Sequence, residues 1–316
     1  MVGSTRAPAL ERQRVFYVYA APMVLHVDNL DQRDPELIER LYKLGFAFLR
    51  RYFRFEARGF ETLPEGPALL VGNHSSGLLT PDTFLLGGAI YQAHGLRQMP
   101  YGLGHEVAIN LPGVRELVLR LGAVRASHQN GERLLTRGDK VLVYPGGDVD
   151  NMRPFRHRDR IVFDGRRGYI RLALRTGVPI VPVVTAGAHE MLVILDDLRW
   201  LPPLLGLDKL LRTRVWPISL AFPWGLLAVP PIVYIPAPVR VLMEQLPPIH
   251  FDELGPEAAD DEEVVERCAQ IVETRMQSAL TRLAEERRER RRATLRRFDP
   301  RKWVGGARAT KTAPDL

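Results

Sequence analysis

Cysteine is almost absent from this sequence, because Cys268 is the only one among 316 residues. A single cysteine excludes an internal disulfide and a cysteine-based zinc site, and it is typical of a protein in a reducing compartment. Residues 1–14 are polar and lack the apolar segment of a signal peptide. We therefore expect a cytoplasmic protein.

Lysine is also scarce, with 5 lysines against 39 arginines and a net charge of +7. Codon bias accounts for the imbalance as well as a ligand does, but the net charge favours an acidic partner. Nucleic acid is not the predicted partner, because aromatic residues do not alternate with the arginines of the C-terminal tail as in a stacking platform. The sequence also lacks G-x-S-x-G, which argues against a hydrolase with a nucleophile elbow.

Long hydrophobic runs are missing except at residues 215–235, which are uncharged over roughly the 20 residues that a membrane crossing needs. Four prolines, at positions 217, 223, 230 and 231, would break a spanning helix there. We expect a core hairpin or an apolar surface lining a lipid groove, with a transmembrane helix as the less favoured alternative.

The middle of the chain alternates apolar strands with helical segments. This rhythm predicts an α/β fold with a mainly parallel or mixed central sheet flanked by helices. We divide the chain into an N-terminal arm with an amphipathic helix (1–54), an α/β core (55–245), and a long charged C-terminal helix with a basic tail (246–316).

The helix predicted from Pro35 onward mixes apolar and basic residues densely. Its apolar residues on one side are Leu37, Leu41, Leu44, Phe48 and Tyr52. Two interpretations fit equally well. The helix packs on the core, or it lies as a basic amphipathic helix on an anionic membrane.

A histidine follows one buried strand, and an aspartate begins the next helix. Residues 68–71 are apolar, and His74 lies in the glycine- and serine-containing loop after them. Thr80 can cap the following helix, Pro81 suits its first position, and Asp82 lies near the positive end of its dipole. Ligands of open α/β sheets bind at the carboxyl ends of strands, so His74 is the predicted general base and Asp82 its orienting partner.

Four sequence blocks, in order, resemble the lysophospholipid (glycerolipid) acyltransferase superfamily. They are GNHSSGLLTPD at 72–82, GAVRAS at 122–127, VLVYPGGDVD at 141–150 and VPIVPV at 178–183. Each block is weak alone, but four in order across residues 55–190 are a strong signal. The third block and the sequence RRGYIRLALRTGVPIVPVVTAGAHE after it resemble the diacylglycerol acyltransferase-like branch.

The resemblance implies transfer of a fatty acyl group from acyl-CoA or acyl carrier protein to a hydroxyl of a glycerolipid or related lipid, without a cofactor or metal. It also implies a peripheral enzyme on the cytoplasmic face of an anionic membrane. Backbone N–H groups near two glycines would stabilise the oxyanion, and an arginine of the second block would bind the acceptor head or the donor phosphates. The substrate-binding residues implied in this way are Asn73, Arg125, Pro145, Gly146 and Gly147. Arg153, together with Arg156 and Arg158, can supply an anion site, although solvated loop arginines are the simpler interpretation.

Two features depart from the superfamily pattern. Seven residues separate His74 from Asp82 instead of four, so Gly77 and the leucines after it must bulge outward for the carboxylate to reach the imidazole. The strict spacing occurs only from His26 to Asp31, which no strand precedes, and we interpret it as coincidence. The third block also lacks the threonine–arginine pair that grips a phosphate, which argues against a phosphorylated acceptor.

Two other functions stay open. Asp148-x-Asp150 after a buried strand can hold a divalent metal, as in a metal-dependent glycosyltransferase, although two solvated acids in a polar loop are the simpler interpretation. A non-enzymatic lipid-binding protein is the other, favoured by the apolar residues 200–242. If Asp82 does not orient His74, then Glu106 or Asp148 is the alternative acid.

Overall fold

The structure is a computed structural model that describes residues 25–75, 77–105, 109–111, 113–210 and 213–297. The strands of this part are β1 (Glu56–Arg58), β2 (Ala68–Gly72), β3 (Tyr101–Gly104), β4 (Ala123–Arg125), β5 (Lys140–Val143), β6 (Ile180–Ala186), β7 (Val193–Asp196), β8 (Ile218–Ala221), β9 (Gly225–Leu227) and β10 (Leu242–Gln245). The helices are α1 (Pro35–Tyr52), α2 (Pro81–His94), α3 (Arg115–Arg120), α4 (His128–Thr136), α5 (Gly147–Asn151), α6 (Gly168–Thr176), α7 (Leu201–Leu204), α8 (Leu207–Leu210) and α9 (Glu262–Arg297).

Seven strands form the central sheet in the order β1-β10-β6-β2-β5-β3-β4. The five strands from β6 to β4 in this order are parallel, whereas β10 pairs antiparallel with β6, and β1 runs parallel to β10. The predicted α/β class with a mainly parallel sheet is confirmed. Because β2 lies between β6 and β5, the residues that follow it reach the middle of the carboxyl edge, where ligands of such sheets bind.

Strand β2 is buried on both faces, which explains its uninterrupted apolar sequence. Leu69 and Val71 pack in a core shared with α6 and α9, whereas Ala68 and Leu70 pack in a core shared with α1 and α2. Side chains alternate between the faces of a strand, so this register directs His74 toward the α1–α2 side.

Helix α1 packs on the core through a different face from the one that the sequence indicated. Its buried residues are Ile38 and Phe46, and an added Cβ on Gly88 of α2 would lie 2.1 Å from the Phe46 ring. Leu44 and Phe48, on the predicted apolar side, are 81% and 67% exposed. The helix therefore has one apolar face on the core and a second one exposed.

The proline-rich segment after α8 contains a hairpin. Strands β7, β8 and β9 form a separate antiparallel sheet, in which β8 and β9 are the two arms of that hairpin. Of the two predicted alternatives, the core hairpin is wrong in its placement, because Leu220, Phe222, Trp224 and Leu226 are exposed, and an apolar surface is present as the other alternative has it. Among the described residues, no helix has the length and apolar character needed to span a bilayer.

The long C-terminal helix is confirmed as α9, which packs against β6 through residues that include Val265, Val272 and Met276. The predicted N-terminal arm before residue 25 and the basic tail after residue 297 lie outside the described residues, as does Glu106.

Candidate active site

His74 lies in the middle of the carboxyl edge of the sheet, directly after β2. It is 9% exposed, so the imidazole is mostly buried but keeps some access to solvent. Gly72 before it has a steric role, because an added Cβ would lie 2.5 Å from the ring of Tyr144. The glycine therefore allows the tyrosine to lie against the end of β2.

The Asp82 carboxylate holds the imidazole. Its Oδ2 lies 2.9 Å from Nδ1 of His74 and accepts the main-chain N–H of Ser75 at 2.9 Å. Its Oδ1 accepts the N–H of Thr83 at 2.9 Å, at the start of α2, where the helix dipole favours a carboxylate. Since a carboxylate only accepts, Nδ1 carries the proton and Nε2 is the basic nitrogen. The structure thus brings the two predicted catalytic residues together.

The extra residues between His74 and Asp82 fold into a turn. Residues Gly77–Leu79 form a short 3-10 helix, and Gly77 and Thr80 both have left-handed backbone, with φ values of 64° and 43°. Asn151 donates from Nδ2 to the Gly77 carbonyl at 2.9 Å. Pro81 begins α2 as predicted, but the predicted cap is wrong, because the Thr80 side chain makes no capping hydrogen bond.

Tyr144 supports the imidazole from one face. The two rings are stacked, with centroids 4.2 Å apart and planes 14° from parallel. Thr83 Oγ1 donates to the tyrosine hydroxyl at 3.1 Å. Burial raises the pKa of Tyr144 well above its ordinary value, so the ring remains neutral. Sequence reasoning missed this residue, although its position directly after β5 was the available signal.

Asp150 holds the main chain of His74. One carboxylate oxygen accepts the His74 N–H, and the other pairs with Arg153. Arg153 also donates to the carbonyls of His157 and Arg158, at 3.0 and 3.1 Å. Asp150 is 0% and Arg153 1% exposed, so neither is the solvated loop residue that the sequence suggested. The predicted contact of Arg153 with substrate does not fit this placement, because its guanidinium is buried and bonded to Asp150 and to two main-chain carbonyls.

His189 is a second buried histidine close to His74. Burial, together with the positive charge of Arg153, holds the pKa of His189 well below its ordinary value. Within the described residues, its Nε2 has no hydrogen-bond partner. Sequence reasoning missed His189, because nothing local distinguishes it from a surface histidine.

Asn73 joins the ends of β2 and β6. Its Nδ2 donates to the Thr185 carbonyl at 2.9 Å, and its Oδ1 accepts the Thr185 N–H at 2.8 Å. Both polar atoms of this predicted substrate-binding residue are therefore used within the protein, where they fix the start of the His74 loop.

The predicted oxyanion segment, Pro145 to Gly147, forms a tight turn at the same edge. The Gly147 N–H donates to the Tyr144 carbonyl at 3.0 Å, so it is not free for the oxyanion as predicted. Arg166 donates to the carbonyls of Pro145 and Gly146, at 3.4 and 3.0 Å. The turn is thus held by protein contacts on both sides.

Arg125 lies far from the imidazole. It ends β4, three strands away from β2, which corresponds to roughly 14 Å at the ordinary strand spacing. Its side chain is 40% exposed, and Nε lies 3.3 Å from Oδ1 of Asp28. The structure therefore does not bring Arg125 together with His74.

His26 and Asp31, which have the superfamily's four-residue spacing, have separate partners. Nδ1 of His26 accepts the main-chain N–H of Asp28, whereas Asp31 pairs with Arg137 at 2.7 Å.

Asp148 and Asp150 have separate partners. Asp148 pairs with Arg166 at 2.8 Å and accepts the N–H of Arg214 at 2.6 Å. Burial alone would raise its pKa, but these hydrogen bonds hold the pKa below its ordinary value. No cluster of three or more His, Cys, Asp or Glu side chains able to hold a metal occurs in the part of the chain described. The arrangement gives no support to a sugar-nucleotide metal site, and Asp82 rather than Asp148 contacts His74.

An apolar cavity of about 340 Å³ opens between α1, the start of α2 and the segment after β9. It is lined by Phe48 and Tyr52 of α1, by Leu79 and Pro81 of the turn and α2, and by Ile235 after β9, among others. The exposed face of α1 and the segment after the hairpin therefore meet at this cavity. Its lining includes Pro81, the neighbour of Asp82 in sequence, but neither His74 nor Asp82.

The family model described as Acyltransferase matches residues 54–186. These residues are therefore similar to an acyltransferase domain. All four sequence blocks and the His74–Asp82 pair lie within the matched range, so the resemblance predicted from the blocks is confirmed.

Three similar proteins extend this comparison. An uncharacterized protein of Mycobacterium tuberculosis is 32% identical over 242 residues, which are 76% of this chain and 64% of that protein, so the chain spans less than two thirds of this relative. Human diacylglycerol O-acyltransferase 2 is 25% identical over 164 residues, 42% of this chain and 40% of that enzyme. The crystal structure of the 1-acyl-sn-glycerophosphate acyltransferase PlsC from Thermotoga maritima matches 79% of both chains with a TM-score of 0.48 and 18% identity.

Proposed function

We propose that this chain transfers a fatty acyl group from a thioester to a hydroxyl of a glycerolipid or related lipid. The donor is acyl-CoA or an acylated carrier protein. One observation carries the proposal. Within the residues that are similar to an acyltransferase domain, an imidazole and a carboxylate joined at 2.9 Å lie at the carboxyl edge of the sheet.

His74 is the general base of this reaction. A lipid hydroxyl is a weak nucleophile at neutral pH, so Nε2 removes its proton as the oxygen bonds to the thioester carbonyl carbon. Asp82 keeps the proton on Nδ1 and stabilises the imidazolium that forms. When the C–S bond breaks, the departing thiolate takes the proton from Nε2. The acceptor attacks directly, so no acyl-enzyme is formed.

The surrounding residues hold this base in place. The Tyr144 ring restricts rotation of the imidazole from one face, and Asp150 fixes the His74 main chain. Catalytic groups need such support, because small displacements of the base cost large factors in rate. The apolar cavity between α1 and the start of α2 suits the acyl chain of donor or acceptor.

An uncharged acceptor fits the sequence better than a phosphorylated one. The third block lacks the threonine–arginine pair of phosphate-binding members, and Arg166 close to it pairs with Asp148. The similarity to human diacylglycerol O-acyltransferase 2 points the same way. Arg125 is then left to bind a headgroup or donor phosphates at some distance from the base.

The enzyme binds peripherally to an anionic membrane, on its cytoplasmic face. Leu44 and Phe48 of α1 and the exposed hairpin beside them supply apolar surface, and the exposed Arg50 and Arg51 supply charge. A lipid acceptor can then enter the apolar cavity from the bilayer.

Turnover with labelled acyl-CoA tests the proposal. The protein is incubated with glycerol, a lysophospholipid, diacylglycerol and a long-chain alcohol, and thiol release is followed with a chromogenic reagent. We expect release that depends on one of these acceptors and persists in EDTA. A metal-dependent transferase would lose activity in EDTA, and a lipid carrier would release no thiol.

His74→Ala should abolish this release, since general-base catalysis contributes typically ~10²–10⁴-fold. His250→Ala is the matched control, because His250 also lies near an aspartate, with 3.6 Å between Nδ1 and Asp252, but on the surface. Undiminished turnover by the His74 variant would exclude this mechanism.

A further inference from the structure

A second cavity, of about 440 Å³, opens at the carboxyl edge of the sheet beyond β6. Seven arginines and two carboxylates line it, together with a few apolar side chains. The arginines are Arg54, Arg158, Arg240 and four on α9 between residues 287 and 291. We call this cavity the arginine basin.

The positive charge of the arginine basin is only partly neutralised. Arg287 forms two hydrogen bonds of 2.9 Å with Glu190, and Arg288 pairs with Asp159. Glu56 pairs with both Arg240 and Arg290.

Two of the arginines form no ion pair among the described residues. Arg54 donates to the Pro238 carbonyl, and Arg291 contributes only through its charge to the lowered pKa of Glu190, which pairs directly with Arg287. Both side chains are exposed, and their charges therefore add to the positive potential over the opening.

The basin lies within reach of the catalytic pair. Arg240 precedes β10 and Arg54 precedes β1, and these strands lie two and three positions from β2. The ordinary strand spacing puts them roughly 10–14 Å from the end of β2. Glu190 of the basin follows His189, which lies close to His74.

We propose that the arginine basin binds the phosphates of the nucleotide end of an acyl-CoA donor, an inference that rests on the proposed function. Guanidinium groups bind phosphate oxygens through paired, charge-assisted hydrogen bonds. The pantetheine arm resembles a short extended peptide with two amide bonds, and on peptide dimensions it spans on the order of 15 Å. An acyl-CoA whose nucleotide lies in the basin can therefore place its thioester at His74. This assignment places the donor phosphates in the basin and not at Arg125.

Donor truncation tests the assignment. Acyl-pantetheine has the same thioester but lacks the nucleotide, so a basin that binds phosphates affects only acyl-CoA. For Arg54→Glu/Arg291→Glu, we expect KM for acyl-CoA to rise at least tenfold, with KM for acyl-pantetheine within twofold of the unaltered protein. Arg292→Glu is the control, because Arg292 is exposed on the same helix but does not line the basin. Equal changes with both donors, or no change with acyl-CoA, would overturn the assignment.

Direct binding separates this assignment from the proposed function. Adenosine 3′,5′-bisphosphate should bind the unaltered protein and the Arg292 variant, and binding to the double variant should be at least tenfold weaker, as measured by calorimetry. Absence of acyl transfer with intact nucleotide binding would count against the proposed function alone. If the double variant instead loses affinity for phosphatidylglycerol vesicles while nucleotide binding is unchanged, the basin holds a lipid headgroup and the assignment is wrong.

Discussion

At the scale of single residues, Asp82 orients the imidazole of the proposed base, because one carboxylate oxygen lies 2.9 Å from Nδ1 of His74 and accepts the N–H of Ser75. Asp82→Asn keeps the shape but removes the charge that stabilises the imidazolium and fixes its tautomer. We expect kcat to fall by roughly 10²–10⁴-fold with a small change in KM. Steady-state kinetics with acyl-CoA measures this effect.

The matched control is Asp252→Asn in the surface pair with His250, which should retain full turnover. A decrease in kcat of less than threefold in the Asp82 variant would indicate that another acid orients His74.

Asp150 and Arg153 form a buried ion pair whose two halves depend on each other. Asp150→Asn leaves the Arg153 guanidinium buried without its counter-charge, and we expect the free energy of unfolding to fall by about 3–5 kcal/mol. Asp150→Asn/Arg153→Met removes both charges and should recover most of that loss. Urea titration of the three proteins measures the difference. A double variant no more stable than Asp150→Asn would show that the pair is not the source of the loss.

His189 makes stability depend on pH. Its folded pKa lies well below the ordinary value, so the unfolded chain binds a proton that the folded chain does not. Protonation of His189 in the unfolded chain therefore lowers the free energy of unfolding at acidic pH. The effect is absent above about pH 6.5, and below it the free energy of unfolding falls by up to roughly 1.4 kcal/mol per pH unit.

The comparison with His189→Gln isolates this effect, because other titrating groups cancel. We expect the unfolding free energy of the unaltered protein, relative to the variant, to decrease from pH 7.5 to pH 5.5. Urea titrations at both pH values measure it, and a pH-independent difference would contradict the assignment.

His74 and Asp82 were predictable because a buried strand, a loop and a helix start are local patterns that place their ends at one edge of a sheet. Tyr144, Asp150 and His189 were not recognised in their roles, since those depend on which loops fold over the strand ends. Burial also reversed the interpretation of Arg153. A charged residue in a polar stretch indicates solvent exposure, and only the tertiary contact with Asp150 shows otherwise.

At the scale of elements, the α1–α2 contact depends on a glycine. Gly88 lies within α2, and a Cβ there would lie 2.1 Å from Phe46 ring atoms. Gly45 of α1 has no atom within 4 Å of an added Cβ and is the matched position. Both alanine substitutions bring the same gain in helix propensity, of up to ~1 kcal/mol. We expect Gly45→Ala to stabilise the protein by about that amount and Gly88→Ala to destabilise it by about 1–3 kcal/mol because of overpacking.

Thermal or urea unfolding of both variants checks this prediction. Equal effects at the two positions would mean that Phe46 moves aside without cost.

The strands and most helices were predictable from their apolar spacing, but which face of each helix packs on its neighbour was less predictable. Helix α1 has one broad apolar arc, which runs from Leu44 through Phe48 and Ile38 to Phe46, and the pattern does not show which part of it meets α2. The small glycine surface of α2 decides it, because only there can Phe46 pack closely. The left-handed backbone conformation of Thr80 was equally unpredictable, since a threonine before a proline normally indicates a helix cap.

At the scale of the whole molecule, the His74–Asp82 pair, the apolar cavity and the arginine basin lie at one edge of the sheet. The apolar cavity is lined by α1 and by the segment after the hairpin, so it opens on the same side as their exposed apolar residues. The proposed peripheral binding with a lipid substrate requires this shared orientation.

Vesicle binding tests that orientation. Phe48→Asp on α1 and Val233→Asp beyond the hairpin each replace an exposed apolar side chain with a charge that the bilayer interface and anionic lipid disfavour. Burial of such a side chain is worth about 1.5–3 kcal/mol, so we expect each variant to partition at least tenfold more weakly onto phosphatidylglycerol-containing vesicles. Ile271→Asp is the control, because Ile271 is also exposed but lies on α9, which packs on the opposite face of the sheet. An equal loss in all three variants would mean that binding follows net charge alone, and the proposed membrane face would then be wrong.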